Sequence, residues 1–241
     1  MSALGHYLEE EGIATVAISL IRPQTENTKP PRALWVPFEL GRPFGPPSDP
    51  TFQKRVILAA LGLLDRPSGP VIIEDFAQDD PRAQPEPGWH PPAVPAVAAG
   101  SAEALAARLA AEIPLLRGAH ESWFARHGRT AIGLSGLSIA DSGRYVAEWV
   151  RGTAPPSPRD GFSAPLMLRF AVDDVKAYCL EAGAGAGKPS SRQLGDWFWN
   201  ETAAGAAIQA LRASCLASED ERLKLIAGNF MVPAARVRSG S

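Results

Sequence analysis

Residues 12–64, GIATVAISLIRPQTENTKPPRALWVPFELGRPFGPPSDPTFQKRVILAALGLL, decide the fold. Residues 13–20 cluster the β-branched Ile13, Thr15, Val16 and Ile18 and read as a largely buried strand. Residues 33–36 form a second short strand, delivered by Pro30-Pro31 and stopped by Pro37. Asp49-Pro50 marks a helix start, because Asp accepts from the orphan amides of the first turn and Pro suits the first helical position. Phe52, Val56, Ala60 and Leu63 or Leu64 then share one stripe. Pro67-Ser68-Gly69-Pro70 ends this helix, and residues 71–73 are a third strand. Strand, helix, strand at this spacing is a βαβ unit, so the pattern predicts a small parallel, Rossmann-like sheet. A short amphipathic helix over residues 4–11, closed by Gly12 in a left-handed cap, precedes it.

Downstream the composition changes. Between residues 78 and 97, Pro81, Pro85, Pro87, Pro91, Pro92 and Pro95 exclude a helix interior or a central strand, leaving a linker or wrapping arm. Ser101 with Glu103 opens an Ala-rich helix to Ile113, and residues 114–127 form another. A brief strand is expected at 130–134, and helices at 139–150, 172–182, 191–215 and 218–227. The organisation is therefore an α/β domain (1–77), a Pro-rich connection (78–97) and a mostly helical region (98–241).

Bulk composition excludes several functions. Lys and Arg number 24 against 26 Asp and Glu, so no one-signed field exists to gather nucleic acid or anionic lipid. No apolar run reaches the ~18 residues of a membrane span, and the N-terminal residues lack the pattern of a signal peptide. The two cysteines, far apart, fit a reducing compartment, and the expected location is cytoplasmic.

Chemistry is expected on the two long connections, residues 21–32 and 37–48. Each follows a strand at the C-terminal edge of the sheet, where open α/β sheets bind ligands. Ordinary connections there run roughly 2–6 residues. The first offers Arg22, Thr25, Glu26, Asn27, Lys29 and Arg32; the second offers Glu39 and Arg42 beside Gly41 and Gly45, where backbone can approach a ligand. The other reading of both is a proline-stiffened subunit contact. Asp49 at the helix start opposes phosphate binding.

A secondary cluster lies in Asp196-Trp197-Phe198-Trp199-Asn200-Glu201-Thr202. On a helix Asp196 and Asn200 share a face, and with Glu201 they form a polar group walled by aromatics. The structural reading, an aromatic helix buried on most sides with its indole N–H groups bonded to nearby carbonyls, carries more weight. Cys179 and Cys215 fall on apolar stripes and read as inert core. His120 and His127 are about 10 Å apart on a helix and share no metal, so no metal site is expected and no cofactor is assigned. The Gly183–Lys188 run looks like a phosphate loop but has Pro189 in place of Ser or Thr, and reads as a flexible turn before a helix capped at Ser190 or Ser191.

Three segments carry a family resemblance: Gly12-Ile13-Ala14-Thr15-Val16, Pro30-Pro31-Arg32-Ala33, and Leu40-Gly41-Arg42-Pro43-Phe44-Gly45-Pro46-Pro47-Ser48-Asp49-Pro50. They resemble the C-terminal part of the selenoprotein B component of the glycine/sarcosine/betaine reductases and of the related D-proline reductase subunit. The resemblance spans residues 3–75, about a third of the chain. It implies an oxidoreductase subunit that helps form a site for a small carboxylate- or amine-bearing substrate. In that family a selenocysteine or cysteine in a U/C-x-x-C arrangement does the chemistry. The matching place here lies at or before Met1-Ser2-Ala3-Leu4, where neither residue is present. The resemblance therefore implies a protein partner that carries the Cys/Sec motif. Arg22, Glu26, Glu39 and Arg42 would position the substrate, Arg being suited to bidentate carboxylate capture. The alternative is a homo-oligomeric, non-catalytic interaction or scaffold protein that kept the reductase-B-like fold.

Overall fold

The computed structural model describes residues 2–66, 69–83, 85–96 and 100–237. Its packing divides the chain into two compact units, Met1–Gln84 and Pro85–Ser241. No helix among the described residues is long and apolar enough to cross a membrane.

The first unit is mixed α/β: α1 (Ser2–Glu10), β1 (Ala17–Ser19), α2 (Arg22–Thr28), β2 (Arg32–Trp35), α3 (Pro50–Leu61) with a 3-10 turn at Gly62–Asp65, and β3 (Ile72–Asp75). The three strands are parallel in the order β1-β2-β3, with Ala17 opposite Ala33 and Ala33 opposite Ile73. The expected βαβ unit is β2-α3-β3. Asp49 caps α3, accepting from the Phe52 N–H at 2.9 Å, with Pro50 at the first helical position. Phe52, Val56 and Ala60 of α3, with Leu63, pack on Leu34, Val36 and Phe38. Rings of Phe38, Phe52 and Phe76 meet edge-to-face at 5.5–6.0 Å between centroids. Gly45 lies against this trio at φ +85°, where a Cβ would stand 2.5 Å from the Phe52 ring, so only glycine fits.

Two expectations for this unit are corrected. Of residues 13–20, only Ala17–Ser19 pairs, and the strand is half-buried. The Thr15 N–H and hydroxyl instead bond the Glu9 carboxylate of α1, and β2, bounded by prolines, offers few residues to pair with. Residues 21–32 are not a loop: Arg22–Thr28 is α2. Pro23 stands in its first turn, the Arg22 Nε–Glu26 Oε1 pair (2.9 Å) spans one turn, and the Thr25 hydroxyl donates back to the Ile21 carbonyl. Lys29 at φ +44° ends it, its N–H donating to the Thr25 carbonyl. Pro67 and Ser68, read as a helix end, and Val97, at the end of the proline-rich stretch, lie outside the described residues.

The second unit contains α4 (Ala102–Leu115), α5 (Arg117–His127), α6 (Ile139–Val150), α7 (Ala164–Gly185), α8 (Ser191–Glu201), α9 (Ala203–Leu216) and α10 (Glu221–Ile226), with a π-helical turn at Ala227–Met231. Its core gathers Leu109, Val146, Met167, Leu168, Val175, Trp197, Phe198, Ile208 and Leu211. The proline-rich residues 85–96 pack on these helices. Glu86 exchanges hydrogen bonds with the Gln193 amide (2.8 and 3.1 Å), and the Trp89 indole donates to the Gly183 carbonyl at 3.2 Å.

Four expectations for the helical region change. Residues 130–134 form no strand, because the N–H groups of Ala131, Gly133 and Leu134 are taken by carboxylates of α7 and that of Ile132 by the Thr130 hydroxyl. The helix expected at 172–182 starts at the Ser163 cap and runs to Gly185. The single helix expected at 191–215 breaks at Thr202, which donates to the Phe198 carbonyl (2.6 Å) and accepts from the Gly205 N–H (2.9 Å). The first three residues of the glycine run, Gly183–Gly185, are helical; a Cβ at Gly183 would lie 2.5 Å from Leu194 and one at Gly185 1.9 Å from the Ala119 carbonyl oxygen. Glycine there is the condition for close helix packing.

Candidate functional site

The C-terminal ends of the three parallel strands converge on one guanidinium. Arg22, just after β1, bonds Glu26 of its own helix, pairs with Asp75 at the end of β3, and stacks over Trp35 at the end of β2, 5.6 Å from the ring centroid. Beside it the Ser19 and Thr25 hydroxyls share a hydrogen bond, and the Ile21 N–H donates to Ser19 Oγ. Asp75, Ser19 and Trp35 were not among the residues anticipated. Asp75 and Arg22 are 53 positions apart, and only the parallel register brings them together.

A groove of about 670 Å³ runs along the outer side of β1. It is walled by Ala3 and His6 of α1, the β1 main chain, Thr25 and Thr28 of α2, and Leu40 from the second connection. Ser19 O accepts from the Val36 N–H, so β1 turns the backbone groups of alternate residues, Ile18 and Leu20, away from β2. Leu40 is 72% exposed and Ile21 44%, giving the groove an apolar rim.

Glu39 and Arg42 pair with one another at 3.7 Å, and the Arg42 N–H bonds the Glu39 carbonyl in a turn. Gly41, at φ +90°, completes that turn, whereas Gly45 is committed to the Phe52 contact. Among the described residues no hydrogen bond or ion pair joins Glu39 or Arg42 to Arg22 or Glu26. Both arginines are thus held internally, Arg22 by two carboxylates.

The secondary cluster is divided. Asp196 pairs with Arg236, while Asn200 and Glu201 line a separate groove of about 380 Å³ with Pro91, Pro92 and Trp197. Contrary to expectation, the buried Trp197 indole N–H has no hydrogen-bond partner among the described residues. Cys179 is enclosed in α7, and burial pushes its thiol well above the ordinary range; burial raises the Cys215 thiol to about 11. Neither is set up as a thiolate nucleophile. No group of three or more His, Cys, Asp or Glu side chains converges among the described residues.

Among its described residues the helical unit holds three buried carboxylates, each accepting from backbone. Asp174 accepts from the N–H groups of Gly133, Leu134 and Ser135 and from the Ser135 hydroxyl. Glu181 accepts from Ala131 N–H and the Thr130 hydroxyl, and faces His120 Nε2 at 2.9 Å. Glu112 accepts from the N–H groups of Ala203 and Ala204 at the start of α9. Their sequence signal was an acid inside an otherwise apolar helical stripe.

Fold and site together define a mixed α/β protein with a small parallel sheet and a separate helical unit. No model of a known protein family matches the chain, and no curated protein or solved structure matches it.

Proposed function

We propose that the Met1–Gln84 unit is the substrate-positioning part of a reductase like those of the glycine/D-proline reductase selenoprotein B family, with the reactive thiol or selenol supplied by a partner chain. In this reading the three-stranded sheet is a small Rossmann-like sheet working at its C-terminal edge. The convergence of Arg22, Asp75, Ser19 and Trp35 at the three strand ends, beside the groove along β1, carries it. A small substrate carboxylate would exchange with Asp75 on the Arg22 fork, which keeps its stacking on Trp35. Glu39 and Arg42 would border the entry, with Gly41 allowing close backbone approach. Reductive cleavage needs a thiolate or selenolate attacker, and the burial of Cys179 and Cys215 supports its arrival on another chain.

The test is a native pull-down of the tagged chain from its own cells, with intact masses of all retained species. A stoichiometric partner with a U/C-x-x-C motif, whose reductase activity falls with Arg22→Ala, is the expected result. Recovery of this chain alone removes the split-enzyme reading. It then favours a non-catalytic interaction protein, for which the internal pairing of Arg22 and Arg42 and the apolar-rimmed edge of β1 are the supporting observations.

A further inference from the structure

A second cavity, of about 330 Å³, opens in the helical unit between the end of α4, the first residue of α5 and the start of α6. Its floor is apolar: Ile113, Pro114, Ile139 and Ala140 line it, and Gly143 lets α6 approach α4 so closely that a Cβ there would lie 3.1 Å from Ile113. Tyr178 closes the base, its hydroxyl donating to the Ile113 carbonyl at 2.8 Å. Burial pushes that phenol up to about 12, so it stays neutral. The remaining polar groups are the guanidiniums of Arg117 and Arg144.

Their charges are unevenly answered. Arg144 pairs with Asp141, which also accepts from Ser138. The Arg117 guanidinium makes no ion pair or hydrogen bond among the described residues, Glu121 one turn on included. Arg117 also occupies the first position of α5, whose first turn has no acidic residue. An apolar cavity with one unanswered and one half-answered guanidinium at its mouth lacks an anion with an apolar body. A phosphate-bearing ligand would set its polar bulk against Ile113, Pro114 and Ile139. We propose that this cavity binds a small aliphatic monocarboxylate, its head between Arg117 and Arg144 and its tail on the Ile113–Ile139 floor. The site is independent of the reductase reading, because it lies in the other unit and shares no residue with it.

The full-length chain is titrated calorimetrically with sodium hexanoate, hexylammonium chloride and 1-hexanol. Hexanoate is expected to bind saturably at one site per chain and to raise the melting temperature, with hexylammonium inert and hexanol at least tenfold weaker. Arg117→Gln and Arg144→Gln, both at exposed positions, each lower hexanoate affinity about tenfold or more, as loss of a charge-assisted hydrogen bond does. Ala140→Trp, at an exposed position, fills the cavity and abolishes binding while leaving the unliganded melting temperature near wild type. Absence of saturable binding, equal binding of hexylammonium, or hexanoate binding indifferent to all three substitutions overturns the proposal.

Discussion

Asp174 does with one carboxylate what a strand would otherwise do for residues 133–135. It takes three successive N–H groups and a hydroxyl, and so holds an irregular segment against α7. Asp174→Ala leaves the buried Ser135 N–H and the neighbouring Gly133 and Leu134 N–H groups without their acceptor and is expected to cost roughly 2–4 kcal/mol; urea unfolding reads this, and a change below 1 kcal/mol would refute the assignment. Glu112 differs, because burial raises its pKa more than the Ala203 and Ala204 N–H groups lower it. A carboxyl raised on folding contributes stability that is fully present below its unfolded pKa and lost as pH rises through the folded value. Wild-type stability carried by this group therefore falls between acid and neutral pH, and Glu112→Gln, though less stable at acid pH for want of the second acceptor, should flatten that slope. Matching urea midpoints at pH 4.5 and 7.0 in both proteins check it; parallel slopes would sink it. Glu9 has the opposite sign: bonds from Thr15 and Arg32 lower its pKa, so its contribution is present above the unfolded value and lost as pH falls.

Helix and strand positions were legible at most chemical punctuation, though Pro114, read as the start of a helix over 114–127, lies inside α4, and α5 begins at Arg117. Asp49-Pro50 located α3, the prolines around β2 delimited it, and α6 begins and ends where its apolar period does. What escaped was α2, whose Thr and Asn residues have low helix propensity and whose stabilising bonds are local and polar. The break at Thr202 escaped because a Thr inside a helical period becomes a cap only when Glu112, 91 positions away, takes the N–H of Ala203. The site was legible only in part for the same reason: Arg22 and Glu26 are local, whereas Asp75 reaches them through the sheet. Element packing gives a paired test. Gly185→Ala sets a methyl against the Ala119 carbonyl where α5 meets α7, and should destabilise by about 1–3 kcal/mol. Gly118→Ala in α5 meets nothing within 4 Å and should stabilise by roughly 0.5–1 kcal/mol. Equal effects of the two would contradict the close approach.

At the scale of the molecule, Met1–Gln84 and Pro85–Ser241 each have a core of their own. Scanning calorimetry is expected to resolve two transitions. Gly45→Ala, which forces a Cβ into the Phe52 ring, should lower one, and Gly185→Ala the other. A single transition moved by both substitutions would show one cooperative body instead.

The order β1-β2-β3 has a kinetic meaning as well. Each strand pairs with its neighbour in sequence, with paired residues 16 positions apart for Ala17 and Ala33 and 40 for Ala33 and Ile73, so the larger closure entropy falls on the β2–β3 pairing. Among the described residues all strands of the sheet precede Pro85. As the chain leaves the ribosome, the sheet and its α3 cover can assemble while the helices of the second unit are still being made.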